Sequence, residues 1–96
     1  MAKVIAQEEI AVDSEVKQLT PAIYNSPSGP SASYAIIHAE GGAMRYLVNG
    51  QDPNPSLGAL FEDGDIVELP TIYHIKDFRI VKAGTDPGKL TVTYET

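Results

Sequence analysis

Gly, Pro, Asn and Asp recur so closely along this chain that they leave only short pieces between them. Asp13, Pro21, Pro27, Pro30, Gly41-Gly42, Asn49-Gly50, Pro53, Pro55, Asp63-Gly64-Asp65, Pro70 and Asp86-Pro87-Gly88 are the breaks. Each marks a turn for a physical reason: proline fixes φ and removes a donor, while Gly and Asn tolerate positive φ. Between the breaks, apolar and polar residues alternate in bursts, which is the two-residue period of a half-buried strand. Turn signals at this spacing belong to an antiparallel sandwich or small barrel. The expected fold is all-β: a small antiparallel β-sandwich or barrel-like module of six to seven short strands, with an N-terminal extended arm.

Residues 1–31 read as the arm, an edge strand and a Pro/Ser/Gly loop, and 32–96 as the compact β body of a single domain. Val4 to Val12 reads as a strand or extended arm, and Thr20-Pro21 interrupts the stretch that follows. Ala22-Ile23-Tyr24 then makes a short edge strand, and the loop 25–31 is either a simple surface connection between two strands or a hinge through which the first 24 residues reach a neighbouring subunit. Deleting 1–24 should on this reading leave a folded body that no longer assembles. Ala32 to Glu40 is a strand, and Gly41-Gly42 turns it into Met44–Val48 as its antiparallel partner. In that partner Met44, Tyr46 and Val48 share one face, and Arg45 and Leu47 the other. The stretch with Pro53 and Pro55 runs extended, and Leu57–Phe61 re-enters the core. Ile66–Leu69 is a strand, and Thr71–Lys76 a single helical turn or an irregular crossing. A strand then runs from Phe78 to Ala83, and a last one points Leu90, Val92 and Tyr94 inward.

A hydrophobic content of 43% is ordinary for a folded domain and rules out compositional disorder. A chain of 96 residues buries a real but thin core, and without cysteine neither disulfide nor thiolate metal site supplements it. Burial between subunits is the remaining source of stability. The net charge of −6, with seven scattered Lys and Arg, disfavours nucleic acid and anionic membranes. The acidic Gln7-Glu8-Glu9 interrupts the opening apolar residues, so no secretory signal is expected, and no run approaches a membrane span. Synthesis in a cytoplasm follows.

Catalytic chemistry is hard to place. His38 and His74 lack the short ligand spacing of a metal site. The carboxylates of Glu8-Glu9 and Glu62-Asp63-Gly64-Asp65 read as turn residues open to water, unsuited to paired acid–base work. The Asp-Gly-Asp echo of a calcium loop meets Val67 and His74 where further ligands should stand. Phosphate loops, serine elbows and thiol nucleophiles are missing from the sequence. The expectation is a protein that is not an enzyme, with no catalytic, cofactor or metal residues. Five tyrosines remain: Tyr46 and Tyr94 suit core-edge packing, whereas Tyr24 and Tyr73 suit an interface. Tyr34, Tyr46 and Tyr73 would be the stacking set of a carbohydrate-binding surface if they lay in one plane.

The series Met44-Arg45-Tyr46, Asn49-Gly50, Pro53, Gly58, Leu60, Gly64-Asp65, Leu69, Phe78-Arg79-Ile80 and Leu90-Thr91-Val92-Thr93-Tyr94 resembles small structural proteins of tailed bacteriophages. The resemblance spans about the last two-thirds of the chain and is specific as a series rather than element by element. One departure is the loop Asn49-Gly50-Gln51-Asp52-Pro53-Asn54-Pro55, where Asp-Gly and a single Pro would be expected. The resemblance implies a virion component, either a capsid decoration (cement) protein or a small tail or neck part, made in the host cytoplasm. Its partners would be the major capsid protein or other virion subunits and further copies of itself, a trimer at capsid three-fold points being natural. Candidate interface residues are Val4, Ile5, Ile10 and Val12 on the arm, continued by Ile23 and Tyr24, with Tyr73 beside them.

Overall fold

A computed structural model describes residues 3–25, 29 and 31–96. In chain order its elements are β1 (Val4–Val12), β2 (Lys17–Gln18), a helical turn α1 (Pro21–Tyr24), β3 (Tyr34–Gly41), β4 (Met44–Leu47), β5 (Ala59–Phe61), β6 (Ile66–Leu69), α2 (Ile72–Asp77), β7 (Arg79–Lys82) and β8 (Gly88–Glu95). The strands form two antiparallel sheets of four, in the orders β1-β8-β3-β6 and β2-β7-β4-β5. The all-β expectation holds, and the described residues carry eight strands rather than six or seven.

The sheets face each other across one apolar cluster. From the first come Val12, Ala35, Ile37, Ala39, Leu69, Leu90, Val92 and Tyr94. Met44, Phe61 and Ile80 enter from the second, with Leu19, Tyr24, Ile75 and Phe78 from the segments that close the ends. Period-two alternation produces this arrangement: Gly88, Leu90, Val92 and Tyr94 are buried while Lys89, Thr91, Thr93 and Glu95 lie on the outer surface. Tyr46 lies at 5.5 Å from both Phe61, edge-on, and Phe78, stacked, so three aromatic rings bridge β4, β5 and the start of β7.

Three parts of the sequence fold otherwise than their local pattern suggests. The N-terminal segment is no arm. Its strand β1 pairs along its length with β8, from Val4 opposite Glu95 to Val12 opposite Gly88, with one bulge between Val4 and Ala6. A central β8 offers two edges, and β1 fills the one that β3 leaves open. Residues 22–24 are helical rather than extended. Pro21 stands at the first helical position, and the Ile23 and Tyr24 amides donate to Thr20 O while Asn25 N–H donates to Pro21 O.

The Gly41-Gly42 turn does not join a hairpin, since β3 and β4 lie in different sheets. Gly41 takes φ +86°, Gly42 N–H donates to Pro87 O, and the next residue, Ala43, accepts from Ala83 N–H. The chain thus leaves one sheet beside β8 and enters the other beside β7. Gly42 passes so close to the neighbouring loop that a Cβ there would stand 2.1 Å from Asp86 O. Gly42→Ala should therefore cost about 2 kcal/mol of overpacking in urea unfolding. A variant as stable as the parent would mean the crossing is looser than described.

Candidate functional site

Alternation along β1 turns Ala6, Glu8, Ile10 and Val12 to the inside, opposite Tyr94, Val92, Leu90 and Gly88. Glu8 is therefore a carboxylate on an interior face, where the sequence suggests a solvated turn. A carboxyl group there needs hydrogen-bond partners, and it has three. Tyr94 OH donates to Glu8 Oε2 (2.5 Å), and Thr20 gives its hydroxyl to Oε1 (2.7 Å) and its N–H to Oε2 (3.3 Å). The Tyr24 ring lies 5.8 Å from that of Tyr94. Burial first, and the bond to Glu8 second, hold the Tyr94 phenol far above its ordinary pKa. Burial also raises that of Tyr24, partly offset by Arg79. The cluster ties β1 and β8 to the residue that starts α1, and among the described residues no buried side-chain N or O lacks a partner. A carboxylate engaged by three donors holds structure together and is poorly placed to move protons.

The other ionisable groups are dispersed. His38 is exposed on the outer face of β3, and His74 sits in α2 with Nδ1 2.7 Å from the Thr71 hydroxyl. Among the described residues no three His, Asp or Glu converge as a metal site would require. Shallow open depressions border Gln7, Glu9 and Thr91, and Pro87 with Lys89; neither encloses a small molecule.

The residues expected at an interface are split. Val12 and Tyr24 lie in the core, and Ile5, Ile10 and Ile23 pack against it, so these five are used within the chain itself. Val4 (53% exposed) and Tyr73 (73%) alone stand out, on β1 and on α2. The three tyrosines of the carbohydrate reading do not share a plane. Tyr34 lies on the outer face of β3 and donates to Glu68, which pushes its pKa up to about 12; Tyr46 faces inward; Tyr73 is on α2.

A different surface emerges on the outside of the second sheet. Arg45 of β4 lies between Leu60 of β5 and Val81 of β7 in one cross-strand row, with Leu47 two residues on. Its guanidinium donates through Nε to Pro55 O (3.1 Å) and through Nη1 to Gly58 O (2.9 Å), which fixes the loop that follows Asn49-Gly50. That loop closes on itself through the paired backbones of Asn54 and Leu57. Leu57 and Leu60 consequently point outward, 48% and 47% exposed, and of the 57–61 stretch only Phe61 enters the core. Sequence alternation shows Arg45 and Leu47 on one face, but nothing local says that a guanidinium will pin a proline loop beside them.

No family model matches the chain, and neither does any curated protein or any solved structure.

Two outcomes follow from this geometry. Because the Tyr94 pKa is raised on folding, its contribution to stability is complete below pH 10 and declines as pH rises beyond it. Unfolding followed from pH 8 to 11 should show that decline, and Tyr94→Phe should flatten it; an unchanged slope would contradict the Tyr94–Glu8 assignment. Arg45→Lys, which cannot bridge two carbonyls as a fork does, should cost about 1 kcal/mol and speed amide exchange at Leu57. Unaltered exchange there would mean the guanidinium does not hold the loop.

Proposed function

We propose that this chain is a non-enzymatic structural protein of a phage particle, a capsid decoration protein that binds and stabilises the major capsid lattice as an oligomer. The supporting observation is where the apolar surface lies. Leu57 and Leu60 stand exposed around a guanidinium fixed by two carbonyls, with Leu47 alongside. Isolated surface leucines need no explanation, but two exposed leucines grouped about a fixed arginine, a residue enriched at binding surfaces, support a protein–protein contact. The loop that carries Leu57 also belongs to the segment whose sequence pattern resembles phage structural proteins. Docking on a repeating lattice would let a modest patch act through many simultaneous contacts. The role first given to the N-terminal segment passes to this face, because Ile5, Ile10 and Val12 are spent inside the chain.

Co-sedimentation with capsids of the phage whose genome encodes the chain is the test, together with light scattering of the purified protein. Saturable binding and a closed oligomer are expected. Leu60→Glu, altering an outward side chain, should reduce capsid binding at least a hundredfold while shifting stability by no more than about 0.5 kcal/mol. Recovery with tails alone would place the protein at the tail or neck, and failure to bind any particle would end the reading.

A further inference from the structure

The backbone hydrogen bonds around β8 determine which groups of β1 are left over. Gly42 N–H donates to Pro87 O, and Glu40 pairs with Lys89 two residues back, so Tyr34, Ile36, His38 and Glu40 aim their backbone groups at β8. On the other edge of β3, Ala39 N–H donates to Asp65 O and accepts at its carbonyl from Gly64 N–H, which confirms the alternation. In β8 the residues 89, 91, 93 and 95 therefore face β3. Leu90, Val92 and Tyr94 turn to β1, where they meet Ile10, Glu8 and Ala6. Thr96 N–H, donating to Lys3 O, continues the same parity.

It follows that Gln7, Glu9 and Ala11 direct their N–H and C=O groups away from the sheet. All three residues are exposed, and no other described backbone group bonds to them. They present three donor–acceptor pairs in a straight line of roughly 13 Å, at about 3.3 Å per residue. The other outer strands are shorter: four residues in β6, three in β5 and two in β2.

We infer that the outer edge of β1 is a strand-addition site for an extended segment of a partner protein bearing lysine or arginine. The backbone geometry supplies the ladder, and charge selects the occupant. Glu9 sits in the middle of the edge with its carboxylate largely exposed, 3.3 Å from Lys89, and Glu40 and Glu95 share its face. A cation in the added strand would stand beside Glu9. A second copy of this chain paired in register about Glu9 is disfavoured at the same place: it would set Glu9 against Glu9, between molecules each carrying −6. Glu9 thus weighs against the symmetric self-pairing and favours a basic strand. The inference concerns a different surface from the leucine face and stands whether or not the chain belongs to a phage particle.

Amide exchange read by NMR on the labelled protein tests it, with a short synthetic peptide alternating lysine and valine as probe and its glutamate counterpart as control. In the free protein the amides of Gln7, Glu9 and Ala11 should exchange fast, and those of Glu8 and Ile10 slowly. Saturating lysine peptide should slow the first set at least tenfold, and the glutamate peptide should not. Glu9→Pro loses an outward-facing N–H and the exposed carboxylate beside Lys89, neither of which the core uses, so it should keep the fold and abolish the effect. Glu9→Lys should reverse the preference between the two peptides. The inference is overturned if the three amides are already protected in dilute protein, if both peptides act alike, if protection grows with protein concentration alone, or if either variant responds as the parent does.

Discussion

The ladders on the two edges of β8 are the constraint from which the rest of the molecule follows. With β1 on one side and β3 on the other, β8 becomes a central strand whose inward residues Leu90, Val92 and Tyr94 are fully buried. Burying a side chain of that size contributes about 1.5–3 kcal/mol, against a total stability of about 5–15 kcal/mol for a domain. The position of β8 also fixes where Glu8 must lie, and the placement of Glu8 calls for Tyr94 and Thr20 as donors. A polar knot on an apolar face specifies register, since a one-residue slip of β1 would bring Glu8 to the solvent side and Gln7 and Glu9 to the core.

The two outer faces of the sandwich then differ in kind. The first sheet carries Glu9, Glu40, Glu68 and Glu95 with Lys89, a charged surface edged by backbone groups pointing outward. The second carries leucines around Arg45, whose bonds to Pro55 and Gly58 convert a proline loop into part of a rigid surface. The interior carboxylate Glu8 is taken up in holding β1 and β8 to the start of α1. The contacts proposed above draw on apolar area on one side and main-chain pairing on the other.

What could be read from the sequence was governed by how local the signal is. Inward Leu90, Val92 and Tyr94 follow from alternation alone, as do the shared face of Arg45 and Leu47 and the turns at Asn49-Gly50 and Gly64-Asp65. Strand partners do not, because pairing depends on contacts distant in sequence. Gly41-Gly42 followed by a strand looks like a hairpin, yet the chain crosses between sheets there, held by Pro87 and Ala83 from far along the chain. Val4–Val12 looked separable because a Pro/Ser/Gly loop follows it, while its partner β8 comes some eighty residues later. Glu8 was misjudged for a related reason: beside Glu9 it reads as solvated, and only the donors Tyr94 and Thr20 make an inward carboxylate tolerable. The leucine face was missed because Leu57 and Leu60 look like core residues until the Arg45 fork turns the loop outward.

Removing residues 1–12 tests most directly whether the N-terminal strand is integral to the sandwich. With β1 gone, β8 loses one edge, Tyr94 loses its acceptor, and the apolar face that Ile10 and Val12 cover is opened to water. Thermal unfolding of the shortened chain, followed by circular dichroism, should show no cooperative transition. A sharp transition near that of the full chain would show that residues 13–96 fold without β1, and the account given for β8 would be wrong.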